Sequence, residues 1–383
     1  MLSQFFRTML GVVAPEVGRD LALDAAALGT LSGLFFVTFA LAQLPVGVLL
    51  DRVGPRRTAG GLMLLASLGA VLFATAGSAA GALTGQALIG AGCAPIFMSA
   101  LFVAARRYPP TAFAAIASLI LAIGQAGVII GTTPLALVAE ALGWRGALLI
   151  AAALMAAAAL AVALLVEDPP RLTTGETLAA AVAGVLAVLR VRALHPILPM
   201  SLISYGAVIT IRGLWGGPYL ADVFGLDPTA RGHVLLAMSL GLIGGTVAYG
   251  AIERRLDRRR ELVIVGTALT VTALAALVLL GSHSTLLATL LLTLIGAGSI
   301  HFAVVMAQAR RFLDDAQVGR GLTLLNGTSF AGAAILQILS GWIVAAAATP
   351  GDPAAAYRAL FLFLALCLAA ALALYLRSTD RHG

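Results

Sequence analysis

GVLLDRVGPRR, residues 47–57, closes an apolar run that begins at Leu28, and GAIERRLDRRR, residues 250–260, closes another one 203 residues later. Each carries a glycine, a few apolar residues, acid and a cluster of arginines. The run before the first, LGTLSGLFFVTFALAQLPVGVLL (28–50), holds 23 residues without a charge. As a helix it is long enough to cross a hydrocarbon layer of roughly 30 Å. LVIVGTALTVTALAALVLLG (262–281) is a second run of this kind. With 61% hydrophobic and 11% charged residues and a mean hydropathy of +1.02, the 383-residue chain has too little polar surface to cover a water-soluble globule. No tract alternates with the period of a membrane barrel, so the expected fold class is all-α and integral to a membrane.

Breaks at charges and at Pro/Gly clusters predict twelve spans, near 1–18, 27–50, 58–78, 81–105, 112–139, 145–166, 197–221, 231–252, 261–281, 284–309, 320–347 and 356–376. All 24 basic residues are arginine. With alternate loops on opposite sides, 18 of them fall on one face and four (Arg19, Arg145, Arg231, Arg358) on the other, while Arg7 and Arg212 fall inside spans. The positive-inside rule then puts both termini in the cytoplasm of a bacterial inner membrane. It also explains the charge of +7 without nucleic acid. Span 1 has no flank before it, which points to a natural start upstream of residue 1. Cys93 and Cys367 lie singly in apolar runs and suggest neither a disulfide nor a metal site.

A shift of about 203 to 206 residues superimposes one half on the other. LALDAAALG (21–29) faces GLDPTARG (225–232), LIGAG (88–92) returns at 294–298, and AARRY (104–108) returns as QARRF (308–312). GWRGALL (143–149) echoes AYRALFL (356–362) at a larger offset. The expected division is an N-terminal half over 1–166, a charged linker over 167–196 and a C-terminal half over 197–383. Parallel duplication of six spans is the architecture of transporters whose halves rock about a central site.

These features resemble the major facilitator superfamily over essentially the whole chain. GVLLDRVGPRR is similar to that family's signature between its second and third helices, carried here by Gly47, Asp51, Arg52, Gly54, Arg56 and Arg57. The resemblance implies that this turn, with Arg106, Arg107 and Arg320, latches the cytoplasmic side in the outward-open state. The glycines permit a tight turn and close helix packing, and Asp51 is suited to a helix N-terminus or to neighbouring arginines. Two departures weaken a drug-exporter reading. Gln86 stands where the family's fourth helix often has arginine, and GQAGVIIGTTP (124–134) keeps only part of the glycine-rich motif of drug/proton antiporters.

Arg7 and Arg212 lie roughly 15 Å below the same surface, on spans related by the repeat. An arginine at that depth costs roughly 3 kcal/mol unless it meets a partner or a cavity. All 17 acidic residues are expected at helix ends or in loops, so an anionic ligand is the partner that suggests itself. A guanidinium fork suits carboxylate or phosphate. The placement resembles that in the organophosphate:phosphate antiporters of the superfamily. The competing reading is that both arginines bond to backbone carbonyls or amides and lock helices together. Gln125, Tyr205, Trp215, His301, Asn326 and Gln337 are further polar candidates for the same cavity, each equally suited to an interhelical bond. His301 is the histidine placed well inside a span and could carry a proton. The glycines of GLWGG (213–217) predict a bend in the outer half of span 7.

The expectation is therefore transport of a small organic anion, a carboxylate or phosphate ester, by alternating access. The expected partners are this solute, a possible coupling ion and the bilayer, with the protein a monomer. No nucleotide-binding loop, catalytic constellation, cofactor motif or metal-ligand cluster is present in the sequence. A multidrug or sugar exporter, and a non-transporting sensor of the same fold, are the rival readings.

Overall fold

The structure, a computed structural model, describes residues 1–168, 178–256, 258–299 and 302–378. Among these, nine helices are long and apolar enough to cross a membrane, and Ala115–Ile130 and Thr285–Gly298 are shorter apolar helices. With span 1, whose helix is interrupted at Met9 (Leu2–Thr8, Leu10–Asp20), they make twelve spans.

Span 2 is Ala25–Arg52, span 3 Pro55–Ala74, and span 4 is Ala79–Cys93 continued by Pro95–Arg107. Span 5 begins as Pro110–Ile130 and runs on into Thr133–Leu165. That ladder reverses at Gly143 (φ 71°) to become span 6, so the loop expected there is a single glycine. Leu178–Val188 is a helix within the stretch expected to be a plain linker. Span 7 is Leu198–Thr210, a π-helical turn Ile211–Trp215, and Gly216–Phe224. Spans 8 and 9 are Pro228–Leu256 and Arg259–Leu280. Span 10 is Thr285–Gly298 and Phe302–Arg310, span 11 Asp315–Ala346 and span 12 Pro353–Tyr375.

The duplication has a physical content. Asp24 caps span 2 by accepting from the Ala27 backbone N–H at 2.7 Å, and Asp227, its repeat counterpart, accepts from the Ala230 N–H at 2.7 Å at the start of span 8. At the same end of the bundle, the Trp144 indole N–H donates to Asp20 at 2.8 Å, joining spans 6 and 1. The Tyr357 hydroxyl donates to Asp222 and joins spans 12 and 7 in the same way. GWRGALL and AYRALFL thus match because each supplies an aromatic donor to an aspartate at the end of the first span of its half.

The halves meet most tightly towards the arginine-poor face. A Cβ on Gly11 of span 1 would lie 2.0 Å from the Arg212 carbonyl oxygen, and one on Gly217 of span 7 would lie 2.2 Å from the Gly11 carbonyl oxygen. Backbones approach this closely in lipid only through small residues. Span 2 packs on span 11 likewise, with a Cβ on Gly29 placed 2.7 Å from the Gly341 Cα. Gly11→Val should therefore lower the melting temperature of the purified protein, overpacking costing about 1–3 kcal/mol. Gly61→Val, where nothing lies within 4 Å of the added carbon, should leave it unchanged; equal effects of the two would contradict the packing.

Candidate functional site

Arg7 sits in the short first segment of span 1, and Arg212 is the second residue of the π-helical turn of span 7. Single π-turns inside α-helices occur often at functional sites, because the extra residue re-aims the side chains around it. The π-helical turn begins at Ile211, two residues before the first of the glycines where a bend was expected.

The two arginines are solvated differently by the protein. The Arg7 guanidinium lies 4.4 Å from the ring centre of Phe39 on span 2 and 4.9 Å from that of Phe330 on span 11. It also reaches Ser3 Oγ at 3.4 Å, while its Nε has no hydrogen-bond partner. Two desolvated ring contacts of about 1–2 kcal/mol each offset most of the roughly 3 kcal/mol of placing arginine at this depth. Arg212 has no such compensation. It is 5% exposed, and neither its Nε nor its Nη1 has a hydrogen-bond partner. Tyr205, seven residues earlier on span 7, and Arg7 both belong to its electrostatic surroundings.

Aromatic rings cluster beside Arg7. Phe330 stands edge-on to Tyr205 at 5.6 Å, lies 4.7 Å from Phe39, and stacks on Phe36 at 6.3 Å. Gln337 is fully buried; its Nε2 donates to the Ile209 carbonyl at 3.3 Å, and its Oε1 has no partner. Trp215 is committed elsewhere, its indole N–H donating to Ser340 Oγ at 2.7 Å and its ring meeting Tyr357. Gln125 and Asn326 are half-buried on spans 5 and 11. His301 lies outside the described residues. Gln86 is 1% exposed, with Oε1 unpartnered.

The signature turn is built differently from the expectation. Gly54 carries a φ of 98°, a left-handed conformation that favours glycine. A Cβ on Gly47 would meet nothing within 4 Å, so this glycine does not serve close packing in this state. Asp51 is exposed near the C-terminal end of span 2, not at a helix N-terminus. Asp168 takes that part, accepting from the Arg56 backbone N–H at 2.8 Å at the start of span 3. Arg52, Arg56 and Arg57 are exposed, Arg106 lies on the Phe102 ring at 5.0 Å, and Arg107 faces Glu167 at 3.9 Å. The Arg320 side chain packs against Gly184 of the Leu178–Val188 helix.

One pair has no signal in the sequence. Arg231, expected at the exposed end of span 8, is 2% exposed and donates to Glu16 of span 1, across the two halves. Nearby, Thr229 donates to Glu140 and also crosses between halves. Both links lie on the arginine-poor face.

A family model described as Major Facilitator Superfamily matches residues 1–214 and again 197–383. The chain belongs to that superfamily. No curated protein matches the sequence. Among solved structures, a bacterial homologue of the human lysosomal transporter Spinster, in an inward-facing and occupied conformation, is 18% identical, with a TM-score of 0.77 over 100% of this chain and 96% of that one. The nucleoside transporter NupG is 14% identical, with a TM-score of 0.79 over 98% and 97%. A peptide transporter, POT, in complex with alafosfalin is 15% identical, with a TM-score of 0.76 over 98% and 92%. At these identities the likeness concerns the superfamily fold alone.

Glu16→Ala should strand Arg231 as a buried unpaired cation, at a cost of about 3–5 kcal/mol. Thermal unfolding in detergent should show a lowered melting temperature that the Glu16→Leu/Arg231→Leu double variant recovers. A single variant that melts like the wild type would mean the pair does not hold the halves.

Proposed function

We propose that this superfamily member moves a small organic anion, a carboxylate or phosphate ester, across a bacterial inner membrane by alternating access. Its N-terminal half, 1–166, and C-terminal half, 197–383, rock about a site near Arg7 and Arg212, joined through the 167–196 linker. The arginine-rich face is cytoplasmic, as the positive-inside rule demands, and both termini lie there. Closure at the arginine-poor face makes the present conformation inward-facing. In the opposite state the signature turn, with Arg106, Arg107 and Arg320, latches the cytoplasmic side.

The observation that carries the proposal is Arg212, a buried guanidinium whose Nε and Nη1 lack any partner in the protein. Guanidinium donors left without a protein partner suit the oxygens of a carboxylate or phosphate. Arg7 adds charge from the facing half, resting against the Phe39 and Phe330 rings with its Nε unpartnered. Tyr205, Gln337, Asn326 and Gln125 are the polar residues that would read the rest of the solute. A basic site of this kind disfavours the lipophilic cations of a drug exporter.

Reconstituted into vesicles, Arg212→Ala should lower uptake of an anionic solute by at least about tenfold, the loss of one charge-assisted hydrogen bond. The same variant should melt at or above the wild-type temperature, because it removes an uncompensated buried cation. Unchanged uptake would overturn the proposal. A marked loss of stability would assign Arg212 to holding helices together.

A further inference from the structure

Spans 3 and 6, both in the N-terminal half, leave a groove of about 440 Å³ between them at the arginine-rich end. Its mouth holds Arg56, Arg57 and Asp168, and its floor is made by Gly60 and Gly61 of span 3 against Ala159 and Ala163 of span 6. Leu64 and Leu160, its apolar walls, are 49% and 58% exposed. In a chain that spans a membrane such exposure faces lipid. From Arg57 to Leu64 the groove runs seven residues down the helix, or roughly 10 Å from the membrane surface into the hydrocarbon.

We propose that this groove binds one anionic phospholipid, its headgroup phosphate on Arg56 and Arg57 and an acyl chain along Gly61 and Leu64. Charge decides between lipid classes. Asp168 is engaged by the Arg56 backbone N–H and packs against Gly54, and neither the Arg56 nor the Arg57 guanidinium has an ion pair among the described residues. The mouth therefore carries two cations against one committed carboxylate, a surplus that a zwitterionic headgroup does not neutralise and an anionic one does. Shape decides that a chain enters. A Cβ on Gly61 would meet nothing within 4 Å, so the floor is open to an occupant.

The test is the melting temperature of the purified full-length protein in detergent with phosphatidylglycerol, with phosphatidylcholine of the same chains, or with glycerol 3-phosphate. Phosphatidylglycerol should raise it, while the other two should do so weakly or not at all. Gly61→Leu, which fills the groove without a clash, should abolish the increment. Arg56→Gln/Arg57→Gln should weaken the apparent affinity by roughly ten- to thirtyfold. Equal increments from the two lipids, or an undiminished phosphatidylglycerol increment in both variants, would overturn the proposal. A full increment from glycerol 3-phosphate would replace the lipid with a free phosphate ester and overturn it too.

Discussion

Glycine against a bare carbonyl, where span 1 crosses span 7, is the contact that organises this molecule. Gly11 presses on the Arg212 backbone and Gly217 presses on that of Gly11, so the two spans touch without side chains between them. Lipid offers no hydrophobic drive for helices to associate, so contact this close must come from small residues and van der Waals packing. Its consequence is positional. Arg7 lies one turn from Gly11 on one span and Arg212 lies beside the contact on the other, so the crossing brings the two cations into one region. The π-turn at Ile211–Trp215 sits at the same crossing, where it sets the direction of the Arg212 side chain.

Around this crossing the two halves repeat a design and then depart from it. Asp24 and Asp227 cap their helices alike, and Asp20 with Trp144 answers Asp222 with Tyr357. Asymmetry enters where the halves face each other. Glu16 and Arg231 pair across the boundary, and Phe39 and Phe330, from different halves, both meet the Arg7 guanidinium. The first kind of contact keeps each half rigid, while the second kind differs between states when the halves move. The Arg212 guanidinium belongs to neither, since its Nε and Nη1 have no hydrogen-bond partner.

The spans, the duplication and the superfamily could all be read from the sequence, because run length, arginine placement and motif order survive without knowledge of helix rotation. The contacts could not. Phe39 lies in FFVTF (35–39), a stretch apolar on every face, and such helices carry no period that says which side meets a neighbour. Glu16 and Arg231 are 215 positions apart and each sits where a solvated helix end was expected. Asp168 displaced Asp51 from its expected role at a helix N-terminus because the chain after span 6 returns to the start of span 3, a tertiary fact with no local signal. Trp215 is polar at one atom only, and Ser340 satisfies that atom within the packing.

The central claim is that the site at Arg212 reads negative charge. It is tested most directly by the thermal response of the wild-type protein to matched pairs of solutes. Each carboxylate or phosphate ester would be set beside its neutral amide or alcohol, at fixed ionic strength. The account predicts that at least one acid raises the melting temperature and that its neutral partner does not. Neutral or cationic solutes that stabilise as well as the acids, or acids that never stabilise, would contradict it.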